Sequence, residues 1–263
     1  MTPSSTVNTE KNRSSRSWYD SNADRFEDTQ AIEMPFLGLD REAQDRLNHF
    51  KLYALDSREH IDLDGKTVLE FGAGHGRLAL AYPGMARYVG VDFSANLVEI
   101  GNRRIARAGL QDRATLIHGD VLTFDAPPES FDVVCSLGMI TYFPDPEPAL
   151  RHMVRFLKPG GVLFFDFRCN SGVYAVVRRI KWAIKKPTGG SSHMIYPDRV
   201  EQILQRLGCS NIKIISREFP VLAGLYARRG WEWPLRLRNW LAGSRTARRF
   251  ATEAWAVALL LHL

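Results

Sequence analysis

The chain has 263 residues, of which 45% are hydrophobic, and a formal net charge of +6. This length and composition predict one well-buried globular domain with additional segments. The three cysteines, Cys135, Cys169 and Cys209, lack the spacing of metal ligands, so no metal site is expected, and their reduced state favours a cytoplasmic protein.

The first 17 residues are rich in Ser, Thr, Asn and charge, and they contain no apolar run. This composition predicts a disordered tail without the hydrophobic segment of a secretory signal. Residues 18–263 are then expected to form a single domain.

Strand and helix patterns alternate along the middle of the chain. Strands are predicted at 67–71, 88–92, 114–118, 131–136 and 162–167, and helices from residue 77 and at 95–108 and 146–157. A helix at 198–207 and a sixth strand at 211–216 follow. The alternation predicts an α/β fold with a doubly wound sheet and helices on both faces.

The almost fully apolar run 254–263 is too short to span a bilayer, which needs about 20 apolar residues. It suits a strand covered on both faces, and a C-terminal amphipathic helix is the alternative.

Glu70 lies near the end of the first predicted strand, which runs into a loop with glycines at positions 72, 74 and 76. Asp92 and Asp120 end two later strand-like runs. Glycines let a backbone touch a ligand, and a carboxylate can hold a ribose diol. Because Glu70 would repel a pyrophosphate, the pattern favours a ligand that carries an ammonium and a sulfonium.

Five segments, at 68–76, 89–94, 118–120, 131–136 and 157–164, resemble in order the motifs of class I S-adenosylmethionine-dependent methyltransferases of the small-molecule type. The resemblance covers roughly residues 65–168. It implies S-adenosylmethionine as cofactor and a mostly parallel seven-stranded sheet. The last strand of that sheet would be antiparallel and lie between the fifth and sixth.

The resemblance also implies a set of cofactor contacts: Tyr19, Glu70, Gly72, Ala73, Gly74, Gly76, Asp92, Phe93, Leu97, Asp120, Val121 and Ser136. In these roles Glu70 would meet the methionyl ammonium, Asp92 the ribose hydroxyls and Asp120 the adenine amino group. A plain amphipathic helix explains the segment around Tyr19 equally well.

Methyl transfer is an in-line displacement that needs alignment and, for some acceptors, a base. Tyr142, after the fourth strand, and His193, in a polar loop, are the candidate catalytic residues. Packing or surface placement explains each of them too. Asp166, at the end of the fifth strand, is expected to point toward the substrate or to cap the next turn.

Two predicted insertions, at about 169–196 and 219–252, are basic and rich in aromatic residues. From residue 168 to 249 there are 17 Lys and Arg residues against four acidic residues. The insertions are interpreted as a lid over the pocket, as a contact with an anionic membrane surface or a lipid-linked substrate, or as a site for RNA or another anionic partner. Membrane contact would place this cytoplasmic protein at the inner membrane face.

The leading hypothesis is a methyltransferase for a small or lipid-linked metabolite. Nucleic acid is a less favoured substrate, because the chain lacks the Asn/Asp-Pro-Pro-Tyr and Pro-Cys signatures of nucleic-acid enzymes. The alternatives are a non-catalytic cofactor-binding module that docks on membrane or nucleic acid through its basic C-terminal region, and an NAD-dependent oxidoreductase.

Overall fold

The computed structural model describes residues 61–169, 193–218 and 253–260. The described strands are β1 (Thr67–Phe71), β2 (Arg87–Asp92), β3 (Ala114–His118), β4 (Phe131–Ser136), β5 (Leu157–Arg168), β6 (Cys209–Glu218) and β7 (Glu253–Leu260). The described helices are α1 (Arg77–Ala81), α2 (Ala95–Arg107), α3 (Glu147–Val154) and α4 (Pro197–Arg206), with a 3₁₀ turn at Ile140–Tyr142. Within these ranges no helix is both long and apolar enough to cross a membrane.

The strands form one sheet in the order β3-β2-β1-β4-β5-β7-β6. The first five strands are parallel to their neighbours, and β7 runs antiparallel to both β5 and β6. Ala256 of β7 pairs with Phe165 on one side and Ile214 on the other, and it is fully buried. The predicted sheet is therefore confirmed, and the helical alternative for the C-terminal run is wrong.

Side chains alternate between two faces of the sheet, and each face has its own apolar core. On one face, α1 and α2 pack over Val68, Tyr88, Cys135 and Phe164. On the opposite face, α3 and α4 pack over residues such as Phe71. Because both faces are covered, the central strands are apolar at nearly every position, as expected for a parallel sheet.

The fifth strand begins earlier than the predicted residue 162. Leu157 is fully buried and pairs with Phe131, and the regular pairing resumes only at Val133 with Val162. Gly160, at φ +75°, lies in the intervening bulge. The Pro-Gly-Gly sequence therefore bends the strand instead of preceding it, since glycine adopts this backbone conformation without strain.

A polar network holds the amino ends of three neighbouring strands together. The Asp132 carboxylate of β4 accepts hydrogen bonds from the Thr67 backbone N–H at 2.8 Å, the Thr67 hydroxyl at 2.6 Å and the Lys158 ammonium at 2.8 Å. Burial by itself would raise the pKa of Asp132, but these bonds outweigh it and lower the pKa to about 2. At this end of the sheet, the negative charge of Asp132 is compensated by donors of the same chain.

Helix α2 packs against the glycine loop that follows β1. The Ser94 hydroxyl caps the helix by accepting a hydrogen bond from the Leu97 N–H at 3.2 Å. One helical turn later, a Cβ on Gly101 would lie 2.9 Å from the backbone carbon of His75. The absence of a side chain at residue 101 therefore lets the helix pack directly against the loop after β1.

Candidate active site

The loop after β1 presents an open backbone surface. The Gly72 and Ala73 N–H groups donate to the Val91 carbonyl at 2.8 and 3.2 Å, which ties the loop to the carboxyl end of β2. Gly74 has φ +54°, and a Cβ built there would have no heavy atom within 4 Å. The loop therefore combines a conformation that favours glycine with free space into which a ligand fits.

Asp92, at the carboxyl end of β2, lies directly across this loop. Its carboxylate accepts hydrogen bonds from the Gly74 N–H at 2.8 Å and the Ser94 N–H at 2.9 Å, and the residue is 5% exposed. Burial raises the pKa of Asp92, and the bonds from Ser94 and Gly74 oppose that rise. The carboxylate is held in a fixed position beside the open loop.

Glu70, the penultimate residue of β1, lies on the same face of the sheet as Asp92, in register with Gly90 on one side and Cys135 on the other. It is 4% exposed, and the Tyr88 phenol donates a hydrogen bond to its Oε2 at 2.6 Å. Burial raises the pKa of Glu70 to about 7, although the Tyr88 bond and the nearby Arg77 oppose the rise. The carboxylates of Asp92 and Asp166 raise it further.

Asp166, near the carboxyl end of β5, completes a row of three buried carboxylates with Glu70 and Asp92. Its Oδ1 accepts a hydrogen bond from the Gly138 N–H at 2.5 Å, so it holds the turn after β4, whereas the capping expected for it was of the turn that follows its own strand. Three buried carboxylates create a negative potential that a cationic ligand offsets and a pyrophosphate does not. The row thus fits a sulfonium and an ammonium.

The predicted adenine contacts lie at the carboxyl ends of β2 and β3. Leu97 and Val121 are buried and Phe93 is half-buried. The Gly119 N–H donates to the Asp92 carbonyl at 2.9 Å, which joins the two strand ends. The Asp120 carboxylate accepts from the Leu122 N–H at 2.9 Å, so part of its capacity is used in holding its own turn.

Gly72, Gly76 and Ser136 complete the described members of the predicted set. Gly72 has φ +75°, and a Cβ there would lie 2.6 Å from the Met139 Cβ. Gly76 has φ +78° and packs toward Leu116. Ser136 is fully buried, and its Oγ has no hydrogen-bond partner in the part of the chain that the structure describes. The remaining contact, Tyr19, lies outside the described residues.

The two candidate catalytic residues, 51 positions apart in the chain, are brought to the same place. The His193 N–H donates to the carbonyl of Thr141 at 2.6 Å, and Thr141 is the direct neighbour of Tyr142. The Thr141 hydroxyl oxygen is buried and has no hydrogen-bond partner among the described residues. This cluster follows the carboxyl end of β4, beside the row of carboxylates.

Sequence reasoning missed Tyr88 and Thr141. The signal for Tyr88 was its place two residues before Gly90 on the strand next to Glu70, because alternate residues share a face. Nothing in the sequence distinguishes Thr141 from a packing residue. His75, in the glycine loop, is buried, and burial together with Arg77 and Arg104 lowers its pKa to about 3.

Among the described residues, no group of three or more His, Cys, Asp or Glu side chains could hold a metal ion. The carboxylates of the row lie on three different strands, β1, β2 and β5.

Comparison with known proteins agrees with this geometry. A family described as a methyltransferase domain matches residues 69–165. A ubiquinone biosynthesis O-methyltransferase from Idiomarina loihiensis is 30% identical over 174 residues, which cover 63% of this chain and 70% of that protein. A phosphatidylethanolamine N-methyltransferase from Cereibacter sphaeroides is 29% identical over 122 residues, covering 46% of this chain and 60% of that protein. The matched part of the chain covers about half to two thirds of the length of several curated relatives, 47% in one and 64% in another.

The crystal structure of magnesium protoporphyrin IX methyltransferase from Synechocystis PCC 6803 with bound SAH has a TM-score of 0.65 to this chain at 14% identity. The match covers 95% of this chain and 100% of that one, and at this identity it shows the fold. The glycine loop, the sheet order and the similarity to the I. loihiensis protein agree with this fold. The chain belongs to the class I S-adenosylmethionine-dependent methyltransferases, whose methyl donor is S-adenosylmethionine.

Proposed function

We propose that this chain transfers the methyl group of S-adenosylmethionine to a small or lipid-linked metabolite. The observation that carries the proposal is the row of buried carboxylates, Glu70, Asp92 and Asp166, around a glycine loop with free space at Gly74. A cationic ligand fits this row and favours the charged form of its carboxylates, whereas the pyrophosphate of NAD would be placed beside buried acidic groups. The oxidoreductase alternative is therefore disfavoured on electrostatic grounds.

In this proposal each end of the cofactor has its own residues. Glu70 would hold the ammonium, Asp92 the ribose hydroxyls, and the Gly72–Gly76 backbone would lie along the ligand. Phe93 and Leu97 would pack on the adenine. S-adenosylmethionine, when bound, supplies an electrophilic methyl group on its sulfonium. The protein then has to align the acceptor and exclude water.

The acceptor is proposed to bind beside the turn that follows β4. The buried hydroxyls of Ser136 and Thr141, which have no partner among the described residues, are polar groups that a substrate can satisfy. His193 is proposed to take the acceptor's proton, with Tyr142 orienting the acceptor. The Asp166 bond to Gly138 would keep the turn that carries these groups in place.

The names of two relatives support a lipid-linked acceptor, since one acts in ubiquinone biosynthesis and the other on phosphatidylethanolamine. The predicted insertions at 169–196 and 219–252 add a basic and aromatic composition, which favours contact with an anionic lipid surface. We therefore propose a cytoplasmic protein that makes peripheral contact with the inner membrane face. Salt-sensitive binding to anionic vesicles, absent with neutral vesicles, tests this contact.

The proposed activity is tested by incubating the full chain with methyl-labelled S-adenosylmethionine and a host metabolite and lipid extract, followed by mass analysis of labelled products. A labelled small or lipid-linked product is expected. Calorimetric binding of the cofactor without any labelled product would support the non-catalytic module instead. Absence of cofactor binding would overturn the proposal.

The role of His193 is tested with the acceptor so identified. His193→Ala is expected to lower kcat roughly 100-fold, within the range of a lost general base, while the Kd for the cofactor stays unchanged. Glu99→Gln, on the exposed side of α2, serves as the control that keeps full activity. An unchanged kcat in His193→Ala would show that transfer proceeds by alignment alone.

A further inference from the structure

Tyr88, at the second position of β2, is a polar residue in an apolar core. It is 1% exposed and packs with Val68, Leu116 and Cys135 under helices α1 and α2. A phenol buried this deeply needs an acceptor, because an unsatisfied hydroxyl costs about 1 to 3 kcal/mol. Its acceptor is Glu70 Oε2 on the neighbouring strand, at 2.6 Å.

The path from Tyr88 to Glu70 depends on Gly90. Glu70 pairs in register with Gly90, and Tyr88 lies two residues earlier on the same face of β2. A Cβ at residue 90 would lie 2.7 Å from the Tyr88 hydroxyl oxygen and 2.7 Å from the Ala73 Cβ. The tyrosine side chain thus occupies the space that a side chain at 90 would need, and it reaches across the strand toward β1.

The hydrogen bond uses one oxygen of the carboxylate. In the described part of the chain, Tyr88 is the donor that contacts the Glu70 side chain. Oε1 therefore keeps its acceptor capacity, since a carboxylate accepts at both oxygens. A donor on one oxygen fixes the rotation of the carboxylate and determines where the second oxygen points.

We propose that Tyr88 is a positioning residue of the cofactor site, which holds the Glu70 carboxylate so that its second oxygen meets the ammonium of S-adenosylmethionine. The inference rests on the proposed function, because it takes Glu70 as the ammonium ligand. Tyr88 itself contacts no substrate in this role.

The charges around Glu70 make this role measurable through pH. Arg77 from α1 favours the carboxylate, whereas Asp92 from β2 and Asp166 from β5 disfavour it. Cys135 of β4, the remaining titratable neighbour, is a buried thiol whose pKa burial raises. The Tyr88 bond favours the charged form of Glu70, so its removal raises the Glu70 pKa above about 7.

The test is Tyr88→Phe, which removes only the hydroxyl. Calorimetry measures the Kd of S-adenosylhomocysteine, which carries the ammonium, and of methylthioadenosine, which lacks the amino-acid part, between pH 5.5 and 8.5. At pH 7 we expect the first ligand to bind roughly ten-fold more weakly and the second within two-fold of wild type. The midpoint of the pH dependence of S-adenosylhomocysteine binding is expected to shift upward.

The controls separate positioning from structural damage. Tyr82→Phe removes a hydroxyl from another tyrosine of the same apolar cluster and is expected to leave both Kd values unchanged. In a Glu70→Gln background, which has no carboxylate to hold, Tyr88→Phe is expected to cause a much smaller loss. Equal weakening of both ligands at every pH, or no weakening of either, would overturn the inference.

A second readout does not depend on the cofactor. Carbon-13 NMR of labelled glutamate side chains follows the titration of Glu70 in the ligand-free protein, with Glu70→Gln to assign the signal. Tyr88→Phe is expected to raise the Glu70 pKa, and an unshifted titration would overturn the inference. Wild-type protein that binds neither ligand would instead overturn the proposed function, while this titration still decides whether Tyr88 holds the carboxylate.

Discussion

Carboxylates at the two ends of the central sheet have pKa values that are shifted in opposite directions. At the amino end, Asp132 of β4 has a Lys158 ammonium and two Thr67 donors within 2.8 Å, and these lower its pKa to about 2 despite the opposing effect of burial. At the carboxyl end, Glu70 of the adjacent β1 has one phenol donor, and burial raises its pKa to about 7. The strands are neighbours, so the difference comes from burial and from the partners: Glu70 is 4% exposed with a neutral donor, whereas the Asp132 side chain is 31% exposed and paired with an ammonium.

This contrast separates a structural carboxylate from a functional one. A carboxylate that serves the fold receives its cation from the same chain, so its charge stabilises the folded state. In the described ranges Glu70 accepts from one phenol and Asp92 from two backbone N–H groups, all neutral donors, and burial raises the pKa of both groups, which costs stability. A cationic ligand would offset the cost, which links binding to folding.

The largest expected effect is the loss of cofactor binding in Asp92→Ala. The substitution removes the carboxylate proposed to hold the ribose diol and the acceptor of the Gly74 N–H. Two hydrogen bonds to a charged group correspond to roughly a 100-fold rise in Kd for S-adenosylmethionine, measured by calorimetry. Asp125→Ala, at a site with an 84% exposed side chain, is the matched control. A Kd within three-fold of wild type would place the ribose elsewhere.

Replacing Glu70 by Gln is expected to stabilise the ligand-free protein. The pKa of Glu70 rises from 4.5 to about 7 on folding, so between these pH values the folded chain binds more protons than the unfolded chain. The free energy of unfolding therefore falls as the pH rises from 4.5 to 7. Glutamine does not titrate, and it can still accept the Tyr88 bond. Urea unfolding should therefore show a gain of about 3 kcal/mol at pH 8 that disappears near pH 4. A loss of stability at pH 8 would contradict the contrast between the two ends.

The same change from carboxylate to amide at the amino end should have the opposite sign. Asp132→Asn loses the Lys158 ion pair, although Thr67 can still donate. The Asp132 side chain is 31% exposed, so after solvent screening the expected loss at pH 7 is about 1 kcal/mol. Because the folded pKa is depressed, the difference is present above pH 4 and is lost as the pH falls toward 2. A difference that persists at pH 2 would show a packing defect instead.

Much of this architecture could be predicted from the sequence because it depends on local patterns. Strands β1, β3 and β4 begin and end at the predicted residues, since each is an apolar run bounded by turn residues. The glycine loop and the acidic residues at the strand ends could be recognised from the spacing of these residues along the sequence. Their chemistry follows from one rule, that the carboxyl ends of parallel strands share an edge.

The rest depends on contacts between distant residues, which spacing does not reveal. The pairing of Phe131 with Leu157 extends β5 across a Pro-Gly-Gly bulge that reads as a stop signal. The hydrogen bond from Tyr88 to Glu70 requires the register of two strands and the empty position at Gly90. Likewise, the approach of His193 to Thr141 joins residues far apart in the chain.

The smallest expected effect sets the baseline for the contrast. Glu99 lies on the solvent side of α2 and forms an ion pair with Arg103 one helical turn later, at 2.6 Å. Its side chain is 72% exposed, so the pair is screened by water and salt. Glu99→Gln should change the free energy of unfolding by no more than about 0.3 kcal/mol, and 0.5 M salt should remove the difference. An effect as large as that at Asp132 would mean that the loss of any carboxylate perturbs this fold, and the opposite signs expected at Glu70 and Asp132 would then need another explanation.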